Sequence, residues 1–391
     1  MAETHIHFHL DAKPNPPKPP PPPKPPLYLG VNNRAYSPLN TICYSTDNIF
    51  WKNIVTGGFR YNYEGRNFYG NGIVKGPTRY VAVGLGDSAL NSIMWSPNGS
   101  NWSNINSGGF ANERYETEYD DNDNEIIVSI SSFVGIDICY GNNLFIAGGL
   151  NGLYGLNNID MTGTKIQYSG DASNWSNSVN NLDMLLNKVV VGPSLWVCVG
   201  QSHTQLGSIA YSKDGSNWSN IKSGGFLETE YNINNNYGRS SICNSVVYGN
   251  NLWVAVGSGN STINTIQYSK DGSNWSNINS GGFNRFYSIG DIAYGSNLWV
   301  AVGVADSLIS SIQYSKDGSN WSNGGFGLVE KPTTISFTTV TSVVTIGKKK
   351  KEITKSLWVA SGNFYGRNFM QYSSNGSNWY NKQIYVSQII Q

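Results

Sequence analysis

The sequence predicts an all-β fold: a seven-bladed β-propeller of four-stranded antiparallel blades, carried behind an extended N-terminal arm. Three observations predict it. A box ending in tryptophan recurs seven times, a short apolar run recurs seven times in alternation with it, and the repeat is about 55 residues long, a propeller-like spacing. The expected domains are an anchor and arm over residues 1–26 and a propeller over residues 27–391.

The box is clearest in Ser212-Lys213-Asp214-Gly215-Ser216-Asn217-Trp218, which recurs unchanged at 269–275 and 315–321. Degenerate copies end at Trp51, Trp102, Trp175 and Trp379. The apolar run is Leu-Trp-Val-Ala-Val-Gly at 252–257 and 298–303, with variants at 80–84, 144–149, 195–200 and 357–362 and a seventh beginning at Leu27. Of the twelve tryptophans, only Trp95 lies outside the two motifs.

Each repeat predicts four strands. Ser245-Val246-Val247-Tyr248 is strand A, closed by Gly249-Asn250-Asn251. Leu252-Trp253-Val254-Ala255-Val256 is strand B, a continuous apolar run of the kind buried on both faces. Ile266-Gln267-Tyr268-Ser269 is strand C. Asp271-Gly272 makes a tight turn, because Gly accepts a positive φ and Asp bonds the local backbone. Trp275 opens strand D and can cover the turn. Four-stranded sheets repeated radially are propeller blades. The first repeat has no strand A before Leu27; the strand-like end, residues 384–391, is expected to supply it and close the ring.

The box resembles the Asp box, or BNR repeat, of sialidase-type propellers, in a shortened form with Asp and Gly adjacent. The resemblance implies a C–D turn held by Ser212, Asp214 and Trp218, by Ser269, Asp271 and Trp275, and by Ser315, Asp317 and Trp321. It does not imply catalysis. The wording of the repeats, rich in Asn, Ser, Ile and Tyr, also resembles uncharacterised propeller proteins of large DNA viruses and some phages.

A formal net charge of +1 gives no electrostatic case for nucleic acid or anionic membrane. No apolar run approaches the ~18 residues of a membrane helix, and residues 1–26 hold no hydrophobic signal core. The expected location is a virion or the host cytoplasm. Cys43, Cys139, Cys198 and Cys243 form no CxxC pair and are expected as small hydrophobes in strands. No metal and no cofactor is expected.

Candidate binding residues lie in the D–A connections, since loops on a rigid scaffold carry function. They are Arg60, Tyr61, Tyr63 and Arg66 in the first, and Tyr115 and Tyr119 in an acidic loop from Glu113 to Glu125. Tyr231 closes a second Glu-Thr-Glu-Tyr, and Arg285, Phe286 and Tyr287 form the last group. Tyr and Arg are enriched in binding hot spots; local packing is the plainer alternative. Asp120 to Glu125 lacks the Gly and spacing of an EF-hand loop, which favours a solvated acidic loop over a calcium site. Lys348 to Lys351 is expected as a solvated A–B turn.

In the arm, Ile6, Phe8 and Leu10 alternate with His5, His7 and His9. That alternation suits a strand added to a partner's sheet edge. The histidines could bind Zn²⁺, but nothing nearby completes a site. Residues 14–26, nearly all Pro and Lys, form an extended spacer of about 40 Å. The expected function is therefore a non-enzymatic structural or interaction propeller, a virion or other large-assembly component tethered to a protein partner through residues 1–26. A glycan-binding propeller for host attachment is the alternative. A sialidase-type glycosidase ranks third, because Arg60, Arg66, Arg114 and Arg285 are scattered and His203 is the lone histidine outside the arm.

Overall fold

The computed structural model describes residues 27–32, 35, 37–46, 50–60, 69–119, 125–150, 164–180, 182–226, 229–233, 236–283, 290–304, 311–324, 331–346, 349–364 and 367–382. Strands and short 3-10 turns make up its regular structure, with no α-helix among the described residues. No described helix is long and apolar enough to cross a membrane.

Among the described residues the strands form five sheets, two of them nine-stranded, and the sequence repeat groups them into consecutive units. Unit 1 is β1 (Tyr28–Val31), β2 (Ile42–Ser45) and β3 (Lys52–Asn53). Unit 2 is β4 (Gly70–Lys75), β5 (Tyr80–Gly86), β6 (Ile93–Ser96) and β7 (Ser103–Asn104). Unit 3 is β8 (Asn112–Tyr119), β9 (Glu125–Gly141), β10 (Leu144–Leu150), β11 (Thr164–Ser169) and β12 (Ser176–Asn177). Unit 4 is β13 (Leu185–Val191), β14 (Trp196–Ser202), β15 (Ile209–Ser212) and β16 (Ser219–Asn220). Unit 5 is β17 (Thr229–Ile233), β18 (Asn236–Gly249), β19 (Leu252–Gly257), β20 (Ile266–Ser269) and β21 (Ser276–Asn277). Unit 6 is β22 (Asp291–Gly295), β23 (Leu298–Val302), β24 (Ile312–Ser315) and β25 (Ser322–Asn323). Unit 7 is β26 (Lys331–Ile346), β27 (Lys349–Phe364), β28 (Arg367–Ser373) and β29 (Tyr380–Lys382). All ladders within units are antiparallel, and the architecture is that of an all-β propeller.

The A–B turns hold Asn250 and Asn251, or Ser296 and Asn297, at positive φ, the backbone twist a two-residue hairpin requires. Strand D is shorter than the sequence suggests. Only its Ser-Asn pair joins its own sheet, because the backbone beyond turns to the next unit: Lys222 N donates to Ser273 O at 2.8 Å and Trp275 N to Ser223 O at 3.0 Å. The described parts of the acidic segment, residues 113–119 and Glu125, are strand rather than loop. β8 and β9 pair from Asn112↔Ser132 to Tyr119↔Glu125, and β17 pairs β18 from Thr229↔Ser240 to Ile233↔Asn236. Lys349–Lys351 likewise lie in β27, opposite Val344–Ile346 of β26, not in a turn. Both segments sit in continuous antiparallel ladders, so backbone pairing and not residue charge decides their conformation.

The core lies between units. Six buried clusters each join two consecutive units, from Ile42, Ile54 and Phe59 with Trp102 in units 1 and 2 to Leu298 and Val300 with Trp358 and Trp379 in units 6 and 7. Cys139, Cys198 and Cys243 are buried and Cys43 half-buried, and all four thiols are free. In five boxes a glycine at positive φ (Gly99, Gly215, Gly272, Gly318 and Gly376) makes the turn that sets these contacts, and Ala172 holds the place in unit 3 at φ +70°. Gly318 sits at φ +78°, and a Cβ there would overlap Leu252 of unit 5. Gly318→Ala is therefore expected to cost about 2–4 kcal/mol, from left-handed strain plus overpacking. Gly170, with ordinary φ and nothing within 4 Å of a Cβ, should change stability by less than about 0.5 kcal/mol as Gly170→Ala. Urea unfolding of the two variants checks the contrast; equal losses would contradict it.

Candidate functional site

Five inner strands skip one residue against their B partners, at one position of the repeat. The skipped residues are Asn71, Ile136, Asn187, Asn244 and Thr333. Such a bulge bends the strand and re-aims the next side chain. Asn71 Nδ2 donates to Gly135 O at 2.8 Å and Asn187 Nδ2 to Cys243 O at 2.9 Å, so each bulge amide ties its unit to the next. The residue after the bulge is Gly72, Asp137, Lys188, Ser245 or Thr334, and Asp291 holds the equivalent place in unit 6.

These side chains converge. Lys188 Nζ donates to Ser245 Oγ at 2.9 Å and pairs with Asp291 Oδ1 at 3.3 Å. Ser245 Oγ donates to the same Asp291 oxygen at 2.6 Å. Lys188 thus reaches past unit 5 into unit 6, which only the inner, axial edge of a radial array permits. Asp291 Oδ2 accepts from Ile335 N of unit 7 at 3.2 Å. Asp137 Oδ2 accepts from Val189 N of unit 4 at 2.8 Å. Opposite it, a Cβ on Gly72 would stand 3.2 Å from Asp137 Oδ1, so glycine leaves that oxygen room. The Lys188 and Asp291 side chains remain 33% and 20% exposed, enough to meet a ligand.

Loss of hydration pushes the Asp137 carboxyl up to about 6, against the lowering pull of the Val189 and Ile138 amides and of Lys188. The axial cluster therefore offers an ammonium donor, a hydroxyl, an ion-paired carboxylate and a carboxyl that titrates near neutrality. Together they can bind a hydrogen-bonding ligand and exchange a proton with it. No group of three or more His, Cys, Asp or Glu residues among the described residues could hold a metal ion.

None of these axial residues was a candidate from sequence. Part of the signal was present: an Asn followed by a polar residue, just ahead of the apolar A run, in Asn187-Lys188 and Asn244-Ser245. Of the candidates that were named, Arg60 is exposed, and its backbone N–H donates to Asn91 Oδ1 at 2.7 Å. Tyr115, Tyr119 and Tyr231 lie on the β8 and β17 hairpins. Tyr61, Tyr63, Arg66, Arg285, Phe286 and Tyr287 lie outside the described residues, as do Ile6, Phe8, Leu10, the three arm histidines, Asp120 to Asn124 and residues 384–391.

The box residues do meet. Ser212 Oγ donates to Asp214 Oδ1, Gly215 N donates to Ser212 Oγ at 2.9 Å, and Trp218 Nε1 donates to Gly215 O at 3.1 Å. Ser269, Asp271 and Trp275 repeat the pattern, as do Ser315, Asp317 and Trp321. Backbone and side-chain donation from Asn217, with a small opposing effect of burial and further help from Ser216, holds Asp214 well below the usual carboxylate range. In Asp271 and Asp317, burial raises the carboxyl but donors from Asn274 and Asn320 outweigh it, and both also end low.

No known family model matches the chain, and no curated protein matches its sequence. Solved structures are similar to it. One is the Trypanosoma rangeli sialidase in complex with the inhibitor DANA, 12% identical, TM-score 0.34, covering 70% of this chain and 52% of the sialidase. A second is an ancestral GH74 enzyme, 12% identical, TM-score 0.45, covering 89% and 49%. A third is the GH43 endo-arabinanase from Bacillus licheniformis, 15% identical, TM-score 0.26, covering 62% and 91%. This chain spans about half the length of the first two. Each of the three is an enzyme by name, and the expectation of a non-enzymatic protein is withdrawn on that finding.

The carboxyl shifts set a pH profile. Asp137 is raised in the folded state, so its contribution is present below the unfolded value of about 4 and is lost as pH rises through about 6. The box carboxylates are lowered, so theirs is present above about 4 and lost in more acidic solution. Stability should peak near pH 4 and fall between about pH 4 and 6. Asp137→Asn keeps an acceptor for Val189 N and removes the buried charge. Thermal melts should show it more stable than wild type at pH 7.5, by about 1–2 kcal/mol after allowance for residual solvent contact. A fall in stability between pH 4 and 6 that survives the substitution would contradict the assignment.

Proposed function

We propose that the protein is a carbohydrate-recognising propeller that binds its ligand at the axis. One observation carries the reading: Lys188, Ser245 and Asp291, from three consecutive units, converge on one bonded cluster, with Asp137 beside it. Sugars present many hydroxyls that both donate and accept, and clustered charged and hydroxyl groups on rigid strands meet that pattern without reordering. The finer form is a host-attachment protein of a virion, tethered to a protein partner by residues 1–26. What supports the tether is the alternation of Ile6, Phe8 and Leu10 ahead of a stiff spacer.

A second reading is favoured by the two carboxyl groups. Asp137 keeps its proton up to about pH 6, while Asp291 is ion-paired to Lys188. Carboxyl groups held in contrasting environments are how glycosidic bonds are cleaved by acid catalysis. In this reading Asp137 protonates the leaving oxygen.

Lys188→Met keeps the side-chain stem and removes the charge. On a glycan array, the wild-type protein should bind a restricted set of glycans, and Lys188→Met should lose at least about tenfold in affinity for them. Equal binding by the variant, or no glycan bound by the wild type, would contradict the axial reading. Turnover of the bound glycan, with a pH limb near 6 that Asp137→Asn abolishes, would establish the hydrolytic form.

A further inference from the structure

Two β-hairpins run eight pairs beyond their blades. In units 3, 5 and 6 the A–B ladder ends at a two-residue turn, at Leu144↔Gly141, Leu252↔Gly249 and Leu298↔Gly295. In unit 7 the equivalent pair is Thr338↔Leu357, and the ladder continues from Thr339↔Ser356 to Ile346↔Lys349. The base of this hairpin lies at the A–B turn of unit 6, where the Ser296 and Ser356 hydroxyls share a hydrogen bond of 2.6 Å. In unit 3 the extension is at the other end of the inner strand. β9 reaches its A–B turn at Gly141, beside Gly192 of the A–B turn of unit 4. At its far end, before Phe133, it pairs among the described strands with β8 alone, from Asn112↔Ser132 to Tyr119↔Glu125. Eight pairs reach about 26 Å at ~3.3 Å per residue. The two hairpins therefore project from opposite faces of the array, to equal lengths.

Their charges are opposite. Residues 112–119 and 125–132 hold four glutamates and one arginine, and residues 339–346 and 349–356 hold four lysines and one glutamate. Register sorts these charges further. Residues directly opposite each other in an antiparallel ladder share a face, as do alternate residues of one strand. One face of the acidic hairpin thus takes Arg114, Glu116 and Glu118 from β8 and Ile126, Val128 and Ile130 from β9. One face of the cationic hairpin takes Lys349, Lys351 and Lys355 from β27 and Val340, Val344 and Ile346 from β26. Each face sets a charged strand beside an apolar strand, and the dominant charges differ in sign.

We propose that the cationic hairpin of one copy docks on the acidic hairpin of a second copy, so that copies stack head to tail. A two-stranded ribbon is only marginally stable in water by itself, and a packed face or a further strand secures it. The second copy supplies that face with matching length and opposite charge. Opposite charges steer the encounter and fix its register, while the β-branched rows supply apolar burial. The two patches differ, so the contact is heterologous. It does not close as a two-fold dimer does, and it propagates into a filament.

Sedimentation velocity of the full chain tests the stacking. In low salt the wild-type protein should grow beyond a single copy as its concentration rises. It should return to a single copy at about 1 M salt, where the screening length falls to ~3 Å. One variant carries Lys349→Gln, Lys351→Gln and Lys355→Gln, and another carries Glu116→Gln and Glu118→Gln. Each should lose at least about tenfold in association constant, with a melting temperature like that of the wild type, since the substitutions lie off the blades. Mixing the two variants restores one native contact and leaves the outer hairpins neutralised, so the mixture should stop at pairs. A wild-type protein that stays a single copy at every concentration, growth that survives either set of substitutions, or a mixture that does not pair would overturn the proposal. So would co-sedimentation of a single-copy wild type with phosphatidylserine vesicles that the lysine variant loses, which would assign the cationic hairpin to an anionic membrane instead.

Discussion

When the backbone of Gly318 turns left-handed, it lowers the C–D turn of unit 6 onto Leu252 and Val254 of unit 5. Ser315 and Asp317 hold that turn by accepting its N–H groups, and Trp321 covers it by donating to Gly318 O. The turn is thus a bearing surface for its neighbour as well as a fastener of its own strands. Each unit buries one face beneath the next, which is why no cluster in the core belongs to a single unit. Glutamines extend the same logic: Gln267 donates to Gly225 O and accepts from Gly225 N, and Gln313 does the same with Gly282. A buried amide that exchanges two bonds with a neighbour's backbone both satisfies itself and fixes the spacing between units.

This packing leaves the inner strands free to carry chemistry. Their apolar residues face neighbouring units, and the position after the bulge is where a polar side chain is aimed inward. Asp137, Lys188, Ser245 and Asp291 occupy that place in four consecutive units. Their hydrogen bonds cross unit boundaries, so the groups that could meet a ligand are also those that stitch the axis. A buried, raised carboxyl at such a seam lowers stability at neutral pH, a cost commonly met at functional sites.

Much of the fold was legible because exact repeats name their own boundaries. The boxes ending at Trp102, Trp175, Trp218, Trp275, Trp321 and Trp379 and the B runs fell where the spelling of residues 212–218 and 252–257 placed them. Two features were not. The charge of Glu113 to Glu125 suggested a loop, but in its described part, 113–119 and Glu125, strand pairing overrode composition, as it did for Lys349–Lys351. The axial cluster was missed because function was sought where the repeats diverge in length. The informative divergence is a single position within a strand, and Lys188, Ser245 and Asp291 are separated by 57 and then 46 residues in the chain. Only the radial packing brings them together.

The directional contact between units is open to direct measurement by amide hydrogen exchange in Trp321→Ala, whose lost ring belongs to unit 6 but packs with Leu252 and Val254 of unit 5. Protection should fall in Leu252–Gly257 of unit 5 as well as in unit 6, while Trp196–Ser202 of unit 4 stays protected. Loss confined to unit 6, with Leu252–Gly257 unchanged, would show that the units are held independently and that the box turns do not join them.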